Sequence, residues 1–363
     1  MPLHDVGYRG WHGSPRSGGA AGVIASTGIR LAWKSRWLRR VILFAWSPAL
    51  VFAGGFFALE QAVDEGALAA GRAAAGRLDG LGMLGSLLAE SLGESLDDPE
   101  QARRTVWSRL LLAFMRAPQA VLLAVVVGLV APRLIAGDLR AKAWLVYFTR
   151  PVSRSDYILG KVGVLAAIVS LVTFLPALAL WAIGVLVSPS VQVAVATWDL
   201  PLRILAAAAA VTIPTVLLAL AYSAVTAETR IATFAWFATW VACWITHGAL
   251  AGADLAAQAR PGSPIVPAAA DQNDPFDDGP AVEVRRPRGR RPLGWFARAA
   301  GIDGTTDRWA WLSPFHAQGV VQAWIFGIER RFAAVLPSLV SLVVVAGVSL
   351  VVLFLRVDAP ARA

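Results

Sequence analysis

Six long apolar runs dominate this sequence of 363 residues and restrict what it can fold into. About 20 consecutive apolar residues suffice for a helix to cross the roughly 30 Å of hydrocarbon in a bilayer. Only 16% of the residues are charged, whereas soluble domains carry about 25%. The sequence therefore predicts an all-α integral membrane protein. Its six predicted transmembrane helices lie at about 41–59, 118–136, 162–187, 202–227, 231–251 and 332–355.

The charges of the short connections predict the orientation of the chain, because cytoplasmic loops carry an excess of Lys and Arg. Residues 1–40 hold seven basic residues and one acidic residue, and residues 133–161 hold six and two. By contrast, residues 60–104 hold nine acidic and four basic residues. We therefore expect a multi-pass protein of the inner (plasma) membrane with a cytoplasmic N-terminal segment, 1–40, and a cytoplasmic tail, 356–363.

The same count places the long segment 252–331 on the extracytoplasmic side. Its first part, 252–293, is rich in Pro, Ala, Asp and Arg without apolar periodicity, which predicts disorder. Its Arg-rich stretch 283–292 would by charge alone favour the cytoplasmic side, but long loops translocate regardless of charge. The later stretch 308–330 is aromatic and amphipathic, and predicts a helix at the membrane interface or dipping part-way into it. The first 36 residues are predicted to be frayed.

Motifs for several kinds of chemistry are absent from the sequence. It has no Gly-x-x-x-x-Gly-Lys-Ser/Thr phosphate loop, no Gly-x-Ser-x-Gly elbow and no Cys pair, and its four histidines are scattered. We therefore expect no enzyme activity, cofactor or metal site in this chain, and no nucleic-acid partner. The predicted spans also contain almost no ionisable residue, which disfavours an ion-coupled carrier.

The connection between the second and third predicted spans, "RLIAGDLRAKAWLVYFTRPVSRSDYILGK", is unusually rich in charge for so apolar a chain. Asp138 lies four residues before Lys142, a favourable spacing on a helix, and Pro151 disfavours helical geometry before it. These features predict a short cytoplasmic amphipathic helix over about residues 138–148. Such a helix either offers its apolar face to a partner or lies on the lipid surface, and the residues leave both open.

The motif "TRPVSR" at 149–154, followed by Tyr157 and Gly160-Lys161, resembles a loop in the membrane subunits of type-2 ABC transporters, the permeases of ABC exporters. The segment "LSPFHA" at 312–317 is similar to a Pro-containing segment of that family. The resemblance implies a coupling helix that docks a separate P-loop ATPase, which would bind ATP and Mg. It also implies a second permease chain, identical or paralogous, among membrane lipids. The implied docking residues are Asp138, Arg140, Lys142, Tyr147, Arg150, Pro151, Arg154, Gly160 and Lys161.

Three tryptophans of the fifth predicted span, Trp236, Trp240 and Trp244, are spaced four residues apart and so share one helical face. They form either an aromatic wall facing an amphiphilic substrate or ordinary contacts with lipid and neighbouring helices. The sequence does not identify the substrate. An alternative function is a non-transporting membrane scaffold that recruits partners through the long outer segment.

Overall fold

The computed structural model describes residues 19–64, 99–143, 152–188, 192–258 and 309–358, and all regular structure in these ranges is helical. The helices are numbered here in chain order. They are α1 (Ala20–Trp33), α2 (Arg36–Asp64), α3 (Pro99–Leu134), α4 (Ala136–Arg140), α5 (Arg154–Val172), α6 (Phe174–Val187), α7 (Gln192–Ala196), α8 (Leu200–Val225), α9 (Thr229–Gln258), α10 (Pro314–Ile325) and α11 (Phe332–Asp358), with a 3-10 turn at Ala310–Leu312 before α10.

Six segments within these ranges are long and apolar enough to cross a membrane, which confirms the predicted fold class. Each predicted span overlaps one of them. The third consists of α5 and α6 and is interrupted at Thr173, three residues before Pro176, because proline lacks an N–H donor and clashes with the preceding turn. The observed spans are Arg36–Phe57, Val121–Arg140, Arg154–Val187, Leu200–Val225, Thr229–Ala253 and Phe332–Val357.

Among the described residues, two large apolar clusters stabilise the bundle, one toward each end, and a smaller third cluster joins α10 and α11. We call the end that carries loop 133–161 and the turn 226–228 the basic end, and the opposite one the far end. Near the basic end, Ile42, Val127 and Leu165 belong to one buried cluster. Near the far end, Phe56 and Trp107 belong to another, with their rings edge to face at 5.3 Å. The spans differ in how much they are buried, from 56% of the second and fourth to 11% of the fifth.

Helix α3 is much longer than the apolar run that predicted it. Its 36 residues correspond to about 54 Å, well beyond the hydrocarbon thickness, so its first half projects past the apolar window of the span. That half carries four arginines between 103 and 116, so the criterion of apolar length did not predict it as a helix. Trp107, Leu111 and Phe114 in the same half are fully buried.

The prediction that the first 36 residues are frayed is wrong for 20–33, which form α1, while 1–18 lie outside the described residues. Helix α1 packs along α5, and small residues allow the close approach. A Cβ on Gly160 would lie 2.6 Å from Cγ2 of Ile24 and 3.1 Å from the carbonyl oxygen of Ala21. A Cβ on Gly28 would lie 2.4 Å from Val164. Glycine at 160 is therefore required for the position of α1.

Replacing Gly160 by Val is expected to displace α1 from α5, because the new side chain would meet backbone as well as Ile24. The measurement is disulfide crosslinking between cysteines introduced at Ala25 and Gly163, where a Cβ on Gly163 would lie 3.2 Å from Cβ of Ala25. We expect the crosslinked fraction to fall severalfold. Gly22→Val is the matched control, because a Cβ there meets nothing within 4 Å. An unchanged crosslink in Gly160→Val would contradict the close packing.

Of the two alternatives for 308–330, the structure shows a helix inserted into the bundle. Helix α10 lies against α8 and α11, with most of its side chains buried. At its C-terminal end, Arg203 Nη1 donates to the carbonyl oxygen of Ile325 at 2.7 Å. Further in, Gln318 Nε2 donates to Thr215 Oγ1 at 2.9 Å. Since Arg203 lies near the far end of α8 and Thr215 beyond its middle, α10 enters with its N-terminus deepest.

Candidate functional site

The half-buried Asp138 carboxylate of the charged loop is held by two residues of the third span. Asp138 Oδ2 accepts a hydrogen bond from Tyr157 Oη at 2.9 Å and forms an ion pair with Lys161 Nζ at 2.6 Å. The Lys161 ammonium also lies 5.4 Å from the centroid of the Tyr157 ring. Lys161 is only 8% exposed and Tyr157 4%. We call this triad, Asp138, Tyr157 and Lys161, the loop clamp.

Two of the predicted docking residues have a structural role in or beside the loop clamp. Gly160 is buried against α1 and Lys161 against Asp138, so these residues position the loop and are not presented at the surface. Arg140, Lys142 and Arg154 are exposed beside them. Tyr147, Arg150 and Pro151 lie outside the described residues. The described part of the loop thus divides into buried anchors and exposed cations.

The prediction of one continuous amphipathic helix over 138–148 is wrong, because the helix ends after Arg140. Helix α4 ends at Arg140, residues 141–143 form a turn, and Lys142 has φ 51°, a left-handed conformation that L-residues adopt at a cost. Residues 144–148 lie outside the described ranges. The predicted partner Lys142 is replaced by Lys161, which is more distant in sequence and which α5 places beside Asp138.

A serine of α8 holds the break between α3 and α4. The Ser223 hydroxyl accepts hydrogen bonds from the backbone N–H groups of Ile135 at 3.2 Å and Ala136 at 2.9 Å. It donates to the carbonyl oxygen of Pro132 at 3.1 Å. Ser223 is completely buried, so water does not replace it. The second span is therefore tied to the fourth at the point where it enters the loop.

The start of the third span is fixed by a capping box. Ser153 Oγ accepts from the backbone N–H of Asp156 at 3.1 Å, and the Asp156 carboxylate accepts from the backbone N–H of Ser153 at 3.3 Å. Such reciprocal caps satisfy two donors that a helix start leaves open. Arg154, the first residue of α5, therefore has a defined backbone and an exposed side chain.

The three predicted aromatic residues of α9 occupy different environments. Trp236 is buried and its Nε1 donates to the carbonyl oxygen of Ala124 at 2.9 Å, which favours a packing role. Trp240 is half-buried, with its ring 5.6 Å from that of Trp236 and 5.9 Å from that of Phe315. Trp244 is 53% exposed on the outside of the bundle. Trp236 and Trp240, but not Trp244, line a cleft.

Sequence reasoning missed a set of paired charges toward the far end, of which Glu60 is buried and most of the others are half-buried. Glu60 is only 2% exposed. Its carboxylate accepts a hydrogen bond from Trp107 Nε1 at 3.0 Å and forms an ion pair with Arg103 at 3.3 Å. Asp199 pairs with both Arg104 and Arg203. A charge away from water is stable only when it is paired, so these contacts fix α2, α3 and α8 together.

Arg116 is a further buried charge, 1% exposed, whose guanidinium lies 4.1 Å from the centroid of the Phe315 ring. The rings of His247 and His316 stack nearby, with centroids 3.4 Å apart. Arg116 and His316 both have partners within the fold. Within the described ranges, no group of three or more His, Cys, Asp or Glu side chains is placed to hold a metal ion. The expectation of a metal-free chain stays a prediction.

Comparison with known proteins gives one finding that covers nearly the whole chain. A family model described as "ABC-2 family transporter protein" matches residues 30–359. The match includes all six spans, the loop clamp and α10. None of the curated proteins compared with the chain matches it.

Proposed function

Because this chain belongs to the ABC-2 family of transporter permeases, we propose that it docks a separate ATPase through loop 133–161 and that the complex exports its substrate. The family supplies membrane transport components that are not themselves catalytic and that generally work with an ABC ATPase. The protein is accordingly a multi-pass membrane permease of an ABC transporter. ATP and Mg would be bound by the partner, and two permease chains would enclose one path.

The observation that carries the docking proposal is the combination of exposed cations with buried anchors at the basic end. Arg140, Lys142 and Arg154 are exposed, while the loop clamp and Ser223 fix the loop to the third and fourth spans. A contact made at the cations is therefore transmitted to helices that cross the membrane. Coupling of this kind requires that both the partner and the substrate bias one two-state equilibrium of the bundle.

The proposal places the basic end in the cytoplasm, together with both chain termini, because the ATPase and its ATP are there. The excess of Lys and Arg in 1–40 and 133–161 supports this orientation. Export is tested with inside-out membrane vesicles, in which ATP should drive accumulation of the substrate inside. Accumulation of the substrate in right-side-out vesicles that contain ATP would indicate import instead of export.

The scaffold alternative depends on residues 259–308, which lie outside the described ranges. Of the predicted outer segment 252–331, residues 252–258 belong to α9, where the predicted disorder is wrong, and α10 is mostly buried in the bundle. Co-purification in mild detergent from the native membrane separates the two functions. A P-loop ATPase recovered in stoichiometric amount supports docking, and its absence favours the scaffold.

Replacing Arg154 by Glu is expected to weaken recovery of the ATPase about three- to tenfold without changing membrane insertion. The substitution puts a like charge against the acidic groups expected on the partner, and like charges across an interface cost several kcal/mol when they are desolvated. Pull-down from solubilised membranes is the measurement. Arg39→Glu is the matched control, because Arg39 is an exposed cation at the same end but outside the loop. Equal recovery of the ATPase by Arg154→Glu and wild type would contradict the docking role.

A further inference from the structure

A cleft lies among α8, α9, α10 and α11. One part of its wall is aromatic, with Trp236, Trp240 and Phe315. Another part is polar, with Thr215, Ser313 and the amide of Gln318, and no charged side chain of the described residues lines it. The cleft is therefore amphiphilic.

The cleft lies near the middle of the membrane. Thr215 is ten residues from the basic end of α8, Trp240 eleven from that of α9 and Val345 thirteen from that of α11. At 1.5 Å per residue these positions are about 15–20 Å into the bundle, close to half of the roughly 30 Å hydrocarbon thickness. Polar groups at this depth are costly unless they serve a ligand or one another.

Ser313, the N-cap residue of α10, is a polar group at this depth whose side chain has no hydrogen-bond partner among the described residues. Its side chain is completely buried and lines the cleft, yet Oγ forms no hydrogen bond with any described group. A serine at a helix start usually accepts a hydrogen bond from an N–H of the first turn, and Ser313 does not. Its hydroxyl is therefore available to a molecule in the cleft.

The electrostatic field at Ser313 favours a negative charge. The N-terminus of the 12-residue α10 points into the bundle, and a helix N-terminus carries roughly half a positive charge together with N–H groups that lack acceptors within the helix. The guanidinium of Arg116 lies 4.1 Å from the centroid of the Phe315 ring, and Phe315 lines the cleft. No acidic side chain of the described residues lines the cleft to oppose them.

The helices that flank the cleft present large apolar side chains to the outside. Val241 and Ile245 of α9 are 56% and 66% exposed, and Val344 and Val348 of α11 are 54% and 59% exposed. The cleft includes Val345 on α11 and Trp240 on α9, so it lies between these two apolar faces. A ligand with a long apolar chain could leave that chain among the lipids while its polar end enters the cleft.

We propose that this cleft binds the anionic head group, carboxylate or phosphate, of an acyl-chain amphiphile that enters from the bilayer between α9 and α11. Ser313 and the first turn of α10 bind the anion, and Trp240 and Phe315 contact the start of the chain. That the ligand is the transported substrate rests on the proposed function. The binding itself does not, because it needs no ATPase.

Cys243, the single cysteine of the chain, lines the cleft and reports its occupancy. The full chain, purified alone in detergent, is reacted with methyl methanethiosulfonate in the presence of oleate, oleoyl lysophosphatidate or neutral oleyl alcohol. We expect one or both anionic amphiphiles to slow the modification of Cys243 about tenfold at saturation. The alcohol, which lacks the anion, should protect much less. Protection by oleate or by the lysophosphatidate identifies which anion the cleft prefers.

Ser313→Ala is expected to raise the half-protecting concentration about tenfold, because a hydrogen bond to a charged group is lost. Ser313→Thr keeps the hydroxyl and should behave like wild type. Ser188→Ala is the matched control, since that hydroxyl donates only to its own helix at Gly184. Each variant must first show the unliganded labelling rate of wild type, which verifies an intact cleft.

Absence of protection by either anion, equal protection by oleyl alcohol, or wild-type behaviour of Ser313→Ala would overturn the proposal. Failure of the docking proposal is a separate result. If no ATPase co-purifies but the anions protect Cys243, the site stands and only its role in transport is lost. If the ATPase co-purifies and the anions do not protect, docking stands and the ligand site is removed.

Discussion

Replacement of Lys161 by Met is expected to reduce ATP hydrolysis by the assembled complex roughly tenfold or more while the chain still inserts into the membrane. The ammonium of Lys161 is the closest cation to the Asp138 carboxylate, at 2.6 Å, and both side chains are largely shielded, with 10% and 22% of their surface exposed. Without Lys161, the carboxylate keeps Tyr157 as its hydrogen-bond donor but loses its counter-charge.

The size of the effect follows from the cost of a buried charge that has lost its partner. Removing one member of a buried ion pair costs about 3–5 kcal/mol. Asp138 keeps some contact with water, so the lower limit, about 3 kcal/mol, applies here. That energy corresponds to a roughly hundredfold shift between clamped and released loops, at 1.4 kcal/mol for each factor of ten. Only part of this shift is expected to appear in the hydrolysis rate.

A double-mutant cycle distinguishes the ion pair from a general loss of structure. Asp138→Asn with Lys161→Met removes both charges, and we expect the double variant to be more active than Lys161→Met alone, with a coupling energy of about 1–3 kcal/mol. Arg39→Met, which removes an exposed cation at the same end, should stay within about twofold of wild type. Wild-type hydrolysis by the Lys161→Met complex would show that the loop clamp is not needed for coupling.

The six spans could be predicted because membrane insertion depends on apolar length alone, a property that each segment has without its neighbours. The first half of α3 could not be predicted in this way. Its four arginines reduce its average hydropathy, and what stabilises it is the burial of Trp107 and Phe114 against other helices, a contact that local sequence does not encode. Arg116 shows the same limit, because only the fold places its charge against Phe315.

In loop 133–161, the sequence predicted some of the charged residues of the site but not their contacts. The spacing of Asp138 and Lys142 predicted a local pair, and the motif pointed to Lys161 as a docking residue. In the structure Lys161, 23 positions away, is the partner of Asp138. This is a tertiary contact between α4 and α5, which helix periodicity cannot predict. Arg140, Lys142 and Arg154 are exposed, and their docking role stays a prediction.

Ser223→Ala is expected to increase hydrogen exchange at the amides of Ile135 and Ala136 by at least tenfold. Both N–H groups donate to the Ser223 hydroxyl, and a buried N–H that loses its acceptor costs about 1–3 kcal/mol. Two kcal/mol corresponds to a roughly thirtyfold increase in local opening. Mass spectrometry of the peptide that contains these residues measures the rate. Ser223→Thr retains a hydroxyl and should preserve slow exchange, and Ser47→Ala, which removes a hydroxyl bonded within its own helix, should not change it.

The same variant tests how the loop communicates with the membrane interior. Ser223 joins the end of the second span to α8, and α8 carries Thr215 of the cleft eight residues away on the same helix. If docking moves the loop, this rigid helix is the shortest connection to the cleft. Ser223→Ala should then lower ATP hydrolysis by the complex without lowering recovery of the ATPase. Faster exchange together with unchanged hydrolysis would mean that Ser223 fixes the helix break and that the movement passes instead through the loop clamp to α5.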